Sequence, residues 1–126
     1  MFCSEEVYQN VLKMRGNGRD PEVVHGKEDY IPTRAGKARV LIYTPDLGIP
    51  APVYFNVHGG GFIAGRPEGD DYFCDLVCRQ LGIKVINIDY RLAPEYPCPC
   101  DKEDVYDVIK YVHDHADKYG IDPDRM

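Results

Sequence analysis

The 126 residues contain one serine, Ser4, which has no flanking glycines, and no cysteine stands in a G-x-C-x-G context. Within these residues, then, no nucleophile is framed by a glycine turn. Long apolar runs are also missing: the longest are strand-sized, too short to cross a bilayer as a helix. Basic residues are few and scattered. Fifteen Lys and Arg against 21 Asp and Glu leave a formal net charge of −6, with the acids spread along the chain. Nucleic acid and membrane are therefore not expected partners, since both select a concentrated basic face. Glu5 and Glu6 follow directly on MFCS and spoil a secretory leader, so a cytoplasmic protein is expected. The five cysteines then read as reduced, small buried thiols. Cys74 and Cys78 lie four apart and Cys98 and Cys100 two apart. Neither spacing is a C-x-x-C knuckle, so no metal site is expected.

What is present fits one domain with a real core. Residues 1–20 form an N-terminal helical segment: Ser4 caps it, Glu5 and Glu6 occupy its first turn, Val7, Val11 and Met14 make an apolar stripe, and GNGRDP (16–21) ends it. Residues 22–33 and 37–44 are β-rich and meet at Ala35-Gly36, which predicts an antiparallel pair. The linker PDLGIPAP (45–52) leads to VYFNV (53–57). A helix is predicted over 70–81, a strand over KVINIDY (84–90), and a second helix over 101–119. Asp101 is the expected N-cap of that helix, and Val105, Val108, Ile109, Val112 and Ala116 its inner face. Near-continuous apolar strands, each followed by a helix, predict an α/β fold whose mostly parallel sheet is covered on both faces.

Residues 58–65 read HGGGFIAG. Three consecutive glycines demand a reason, because glycine loses the most conformational entropy on ordering. One reading is a dinucleotide fingerprint, Gly59-x-Gly61-x-x-Ala64 after a strand, with Asp89 ending the next strand as a ribose-binding acid would. That fingerprint requires the glycines to open a helix directly, whereas Gly65-Arg66-Pro67-Glu68-Gly69 intervenes here, and no GK[ST] follows. The other reading is an oxyanion hole, in which backbone N–H groups past a strand end meet the charge that develops on an acyl carbonyl.

HGGGFIAG, DYFCDLVCRQLG, VINIDYRLAPEYPCPCDKEDVYDVIKYV and YGIDPDRM together resemble the hormone-sensitive-lipase-like family of α/β-hydrolase carboxylesterases, from about residue 38 onward. The resemblance implies the N-terminal portion of an α/β-hydrolase fold, with residues 21–126 supplying the first strands, the oxyanion loop and two crossover helices. It implies hydrolysis of a small carboxylic ester, with no cofactor. Gly60 and Gly61 match the family's oxyanion donors, Gly59 and His58 its loop supports, and Phe62 an acyl-pocket residue. In DYRLAPE (89–95), Arg91 is expected to pair with an acid and lock the loop. Where the family continues His-Pro-Phe-Pro-Ala, this chain has Tyr96-Pro97-Cys98-Pro99-Cys100. His113 and His115 read as solvated. The family's serine follows IDPDR, so the nucleophile, acid and base are expected beyond Met126. The 126 residues alone are expected to be inactive, and to self-associate or to need a complementary C-terminal chain. A non-catalytic hydrolase-fold protein that binds a small ligand or partner is the alternative.

Overall fold

The structure is a computed structural model and describes residues 3–16, 22–23 and 25–126. The chain opens with helix α1 (Glu5–Gly16), in which Ser4 Oγ accepts the Val7 N–H at 3.3 Å as an N-cap does. The turn GNGRDP, expected to end it, lies almost wholly outside the described residues. Two strands follow, β1 (Lys27–Thr33) and β2 (Gly36–Tyr43), paired antiparallel with Thr33 opposite Gly36. The first begins at Lys27 rather than near residue 22. It starts where Asp71 takes the backbone N–H groups of His25 and Gly26, at 3.1 and 2.9 Å, before any ladder partner does.

Strand β3 (Val53–Val57) leads through the glycines to a 3-10 turn at Pro67–Asp70 and helix α2 (Asp71–Leu81). Gly82, at φ +64°, stops α2 and turns the chain into strand β4 (Lys84–Ile88). Helix α3 (Cys100–Asp114) and a short α4 (Ala116–Tyr119) complete the order. The predicted single helix over 101–119 is thus two, broken at His115, whose φ and ψ of −121° and 38° are non-helical. Asp101 is not the N-cap: α3 starts one residue earlier with Pro99 in the capping position, and Asp101 is buried inside the first turn.

The sheet order is β1-β2-β4-β3, with β1–β2 and β2–β4 antiparallel and β3–β4 parallel. Successive side chains alternate between faces, so each central strand feeds two cores. On one face Val40, Ile86, Ile88, Val108 and Val112 pack under α3, and on the other Leu41, Tyr43, Val85, Cys74 and Cys78 pack under α2. Cys74 and Cys78 are the buried thiols the sequence suggested, while Cys98 is exposed. Buried Asn56 and Asn87 are register partners across β3–β4, bonded at 2.9 Å. Asn56 also donates to Asp70 at 2.8 Å and Asn87 to the Pro67 carbonyl at 2.7 Å. That network anchors the 3-10 turn on the sheet and so fixes both ends of the glycine segment between Val57 and Pro67. Among the described residues no helix is long and apolar enough to cross a membrane.

Candidate active site

The chain leaves β3 at Val57 and turns at once. The Gly60 carbonyl accepts the N–H groups of Ile63 and Ala64, at 3.3 and 3.0 Å, so the turn curls around that oxygen. Gly60 has φ +136° and Gly61 φ +61°, and a Cβ built on Gly60 would lie 1.9 Å from the Ala64 oxygen. A side chain is excluded there by the turn itself. At Gly65, φ +90°, a Cβ would fall 2.2 Å from the Gly59 oxygen. Gly59 differs, since a Cβ there would meet open space. Its carbonyl lies 2.9 Å from His58 Nδ1. The turn opens no helix, because the 3-10 segment begins only at Pro67. Among the described residues, neither the Gly60 nor the Gly61 N–H donates a hydrogen bond.

His58 is 4% exposed and stacks on Tyr90, ring centroids 4.3 Å apart and planes 17° from parallel. With Gly59 C=O as acceptor, Nδ1 carries the proton. The other ring nitrogen, Nε2, is buried without a partner among the described residues. Tyr90 also donates its hydroxyl to the His58 carbonyl at 2.7 Å. Burial pushes the Tyr90 phenol up, helped by Asp101 and Asp70, so it remains a donor across the ordinary pH range. His58 is thus buried against Tyr90 at the foot of the turn, with Nδ1 toward the Gly59 carbonyl.

Phe62 stands at φ +65°, a left-handed conformation costly for a bulky residue, with its ring exposed. It borders a cavity of about 390 Å³ shared with Val57, Tyr90, Val105, Tyr106 and Ile109, walled almost wholly by carbon. Lys102 Nζ lies 5.5 Å from the Phe62 ring centroid and 3.3 Å from Cys98 Sγ.

The loop after β4 is locked by Arg91, as its charge suggested. Its Nε lies 2.9 and 3.1 Å from the two oxygens of buried Asp104, and its N–H reaches the same carboxylate at 3.0 Å. Asp89, the would-be ribose ligand, instead accepts Arg39 Nε at 3.0 Å. His113 and His115 are exposed, the latter stacked on Tyr111. The structure thus gathers His58, Gly59, Gly60, Gly61 and Phe62 in one turn at the end of β3. Sequence reasoning missed Tyr90 and Asp104, although Tyr90 sits inside the quoted DYRLAPE. It also missed Arg15, which reaches the Ile63 and Ala93 carbonyls and Glu95 from α1. A basic residue in a last helical turn looks like an ordinary dipole partner, and nothing local signals otherwise.

Comparison with known proteins gives consistent matches. A family model described as alpha/beta hydrolase fold matches residues 54–126. The carboxylic ester hydrolase LipN of Mycobacterium tuberculosis is 41% identical over 97 residues, 76% of this chain and 26% of the relative. An acetyl esterase of Salmonella paratyphi B is 34% identical over 96 residues, 76% of this chain and 29% of the relative. Among solved structures, a Pyrobaculum calidifontis esterase superposes with a TM-score of 0.74 at 36% identity, covering 94% of this chain and 37% of that one. The chain therefore spans a little over a quarter of the length of these two curated relatives.

Proposed function

The chain belongs to the α/β-hydrolase fold family, in its hormone-sensitive-lipase-like esterase branch, and from that premise we propose that it supplies the oxyanion-hole part of a serine carboxylesterase. The observation that carries this reading is the pair of uncommitted N–H groups at Gly60 and Gly61, on a turn held from beneath by His58 and Tyr90. Acyl transfer places negative charge on the ester carbonyl oxygen, and preorganised donors stabilise it without reorganising at the moment of reaction. Removing one such donor costs roughly 10²–10³ in kcat. In the complete site a serine carried beyond Met126 attacks the ester carbon. A histidine oriented by an acid takes the serine proton and returns it to the departing alcohol, and water repeats the cycle on the acyl-enzyme. Phe62 borders the acyl group. Residues 21–126 form the partial hydrolase domain, with residues 1–20 as its N-terminal segment, and the substrate is a small carboxylic ester met in the cytoplasm.

The test compares turnover of p-nitrophenyl acetate and butyrate by residues 1–126 alone and by a polypeptide continued through a G-x-S-x-G segment, an acid and a histidine. The short chain should match the buffer control, and the long one should turn over and stop on treatment with a serine-directed phosphonate. A folded long polypeptide with no turnover would favour a ligand-binding hydrolase-fold protein instead.

A further inference from the structure

The glycine turn is fastened on its inner side by its own hydrogen bonds and on its outer side by groups from elsewhere. The Phe62 carbonyl accepts the Ala93 N–H at 2.9 Å. The next carbonyl, that of Ile63, accepts Nε of Arg15 at 2.5 Å. The same guanidinium reaches the Ala93 carbonyl and the Glu95 carboxylate through its other two nitrogens. One residue in the last turn of α1 therefore holds the oxyanion turn and the 91–97 loop together, across sequence separations of 48 and 78 or more. Its side chain is only 20% exposed. The three acceptors lie on different edges of the guanidinium, and only a planar fork answers all of them.

Phe62 makes this attachment consequential. Its left-handed φ persists only if the surroundings hold it, and the carbonyls of the two peptide links that follow it, those of Phe62 and Ile63, are held by Ala93 and Arg15. Among the described residues, Val7 and Met14 of α1 are half exposed, and the helix borders a mainly apolar cavity of about 580 Å³ whose lining includes Val7, Tyr8, Val11, Ile63, Pro94 and Pro97. We infer that Arg15 is a positioning residue, coupling the seating of the N-terminal helix to the geometry of the Gly60 and Gly61 N–H donors. This rests on the esterase reading above. When α1 lifts, the Ile63 carbonyl is released, Phe62 relaxes toward ordinary φ, and the donors move off the oxyanion position.

Two readouts test it on Arg15→Ala and Arg15→Lys. In the catalytically complete polypeptide, Arg15→Ala should lower kcat for p-nitrophenyl acetate by about ten- to a hundredfold with KM nearly unchanged, because the lost alignment matters only in the transition state. Added guanidinium should restore part of it, and Arg15→Lys should fall between, since an ammonium cannot span three acceptors. In the 126-residue chain, exchange of the Ile63 and Ala64 amides, which donate to the Gly60 carbonyl, should rise at least tenfold in Arg15→Ala while α2 and β4 stay protected. Wild-type kcat in Arg15→Ala, or exchange rising equally in α2 and β4, overturns the inference. If the wild-type polypeptide itself fails to hydrolyse esters, the esterase reading falls, and the exchange measurement still decides whether Arg15 holds the turn.

Discussion

Replacing each glycine of the turn by alanine should give three different results. At Gly60 the new Cβ would sit 1.9 Å from the Ala64 oxygen, on backbone at φ +136°. Relief requires the turn to open between Gly60 and Ala64, which loses the two hydrogen bonds that the Gly60 oxygen accepts from Ile63 and Ala64, at about 1 kcal/mol each. The backbone conformation adds about 1–3 kcal/mol for a residue with a Cβ. Gly60→Ala should therefore cost about 3–5 kcal/mol by these two contributions. Gly61→Ala meets open space but keeps φ +61°, so only the left-handed penalty of about 1–2 kcal/mol applies. Gly59→Ala meets neither obstacle and should change stability by less than about 0.5 kcal/mol. Urea unfolding followed by circular dichroism measures all three, provided the m-value holds constant. A Gly60→Ala protein within 1 kcal/mol of wild type, or a Gly59→Ala protein as damaged as Gly60→Ala, would refute the steric account of the turn.

Arg91→Ala strands the Asp104 carboxylate, only 3% exposed, and should destabilise by about 3 kcal/mol; adding Asp104→Ala should recover part of that loss. Burial raises the Cys74 thiol from 9.0 to about 12. Its folded value is above its unfolded one, so its contribution is complete below pH 9 and is lost as pH climbs toward 12. That amounts to about 3 kcal/mol by pH 11, so urea midpoints should fall over this window, less steeply in Cys74→Ala. Among the described residues β3 has β4 as its one sheet neighbour; the Arg125 carbonyl takes the Val53 N–H at the start of its outer edge, but Tyr54 and Val57 beyond it are exposed, an edge that templates pairing. Light scattering on the 126-residue chain should show concentration-dependent association, reduced by Tyr54→Lys. A stable monomer at all concentrations would count against the edge argument.

Elements whose signals are local were legible. VYFNV is β3 to the residue, and 70–81 anticipated α2 within one position, because a glycine in the left-handed region closes it. Arg91 was expected to find an acid, and Asp104 lies 13 residues away on the next helix. The misses are residues whose partners are remote. Asp101 resembled an N-cap by type, but Pro99 takes that place and turns the carboxylate inward. Strand β1 begins late because Asp71, 45 residues further on, claims the Gly26 N–H. The three glycines look alike in sequence, yet the folded turn separates Gly60, where a Cβ collides, from Gly59, where it does not. Arg15 carried no sequence signal at all, since its acceptors are two backbone carbonyls and a loop glutamate.

The central claim is that Gly60 and Gly61 are oxyanion donors. Its most direct test is a crystal structure of the catalytically complete polypeptide with its serine trapped as a phosphonate, whose phosphoryl oxygen stands in for the oxyanion. Both the Gly60 and Gly61 nitrogens should lie about 2.7–3.1 Å from that oxygen, with the turn otherwise unchanged. An adduct whose oxygen is bound by other groups, with these two N–H groups turned away from it, would contradict the assignment.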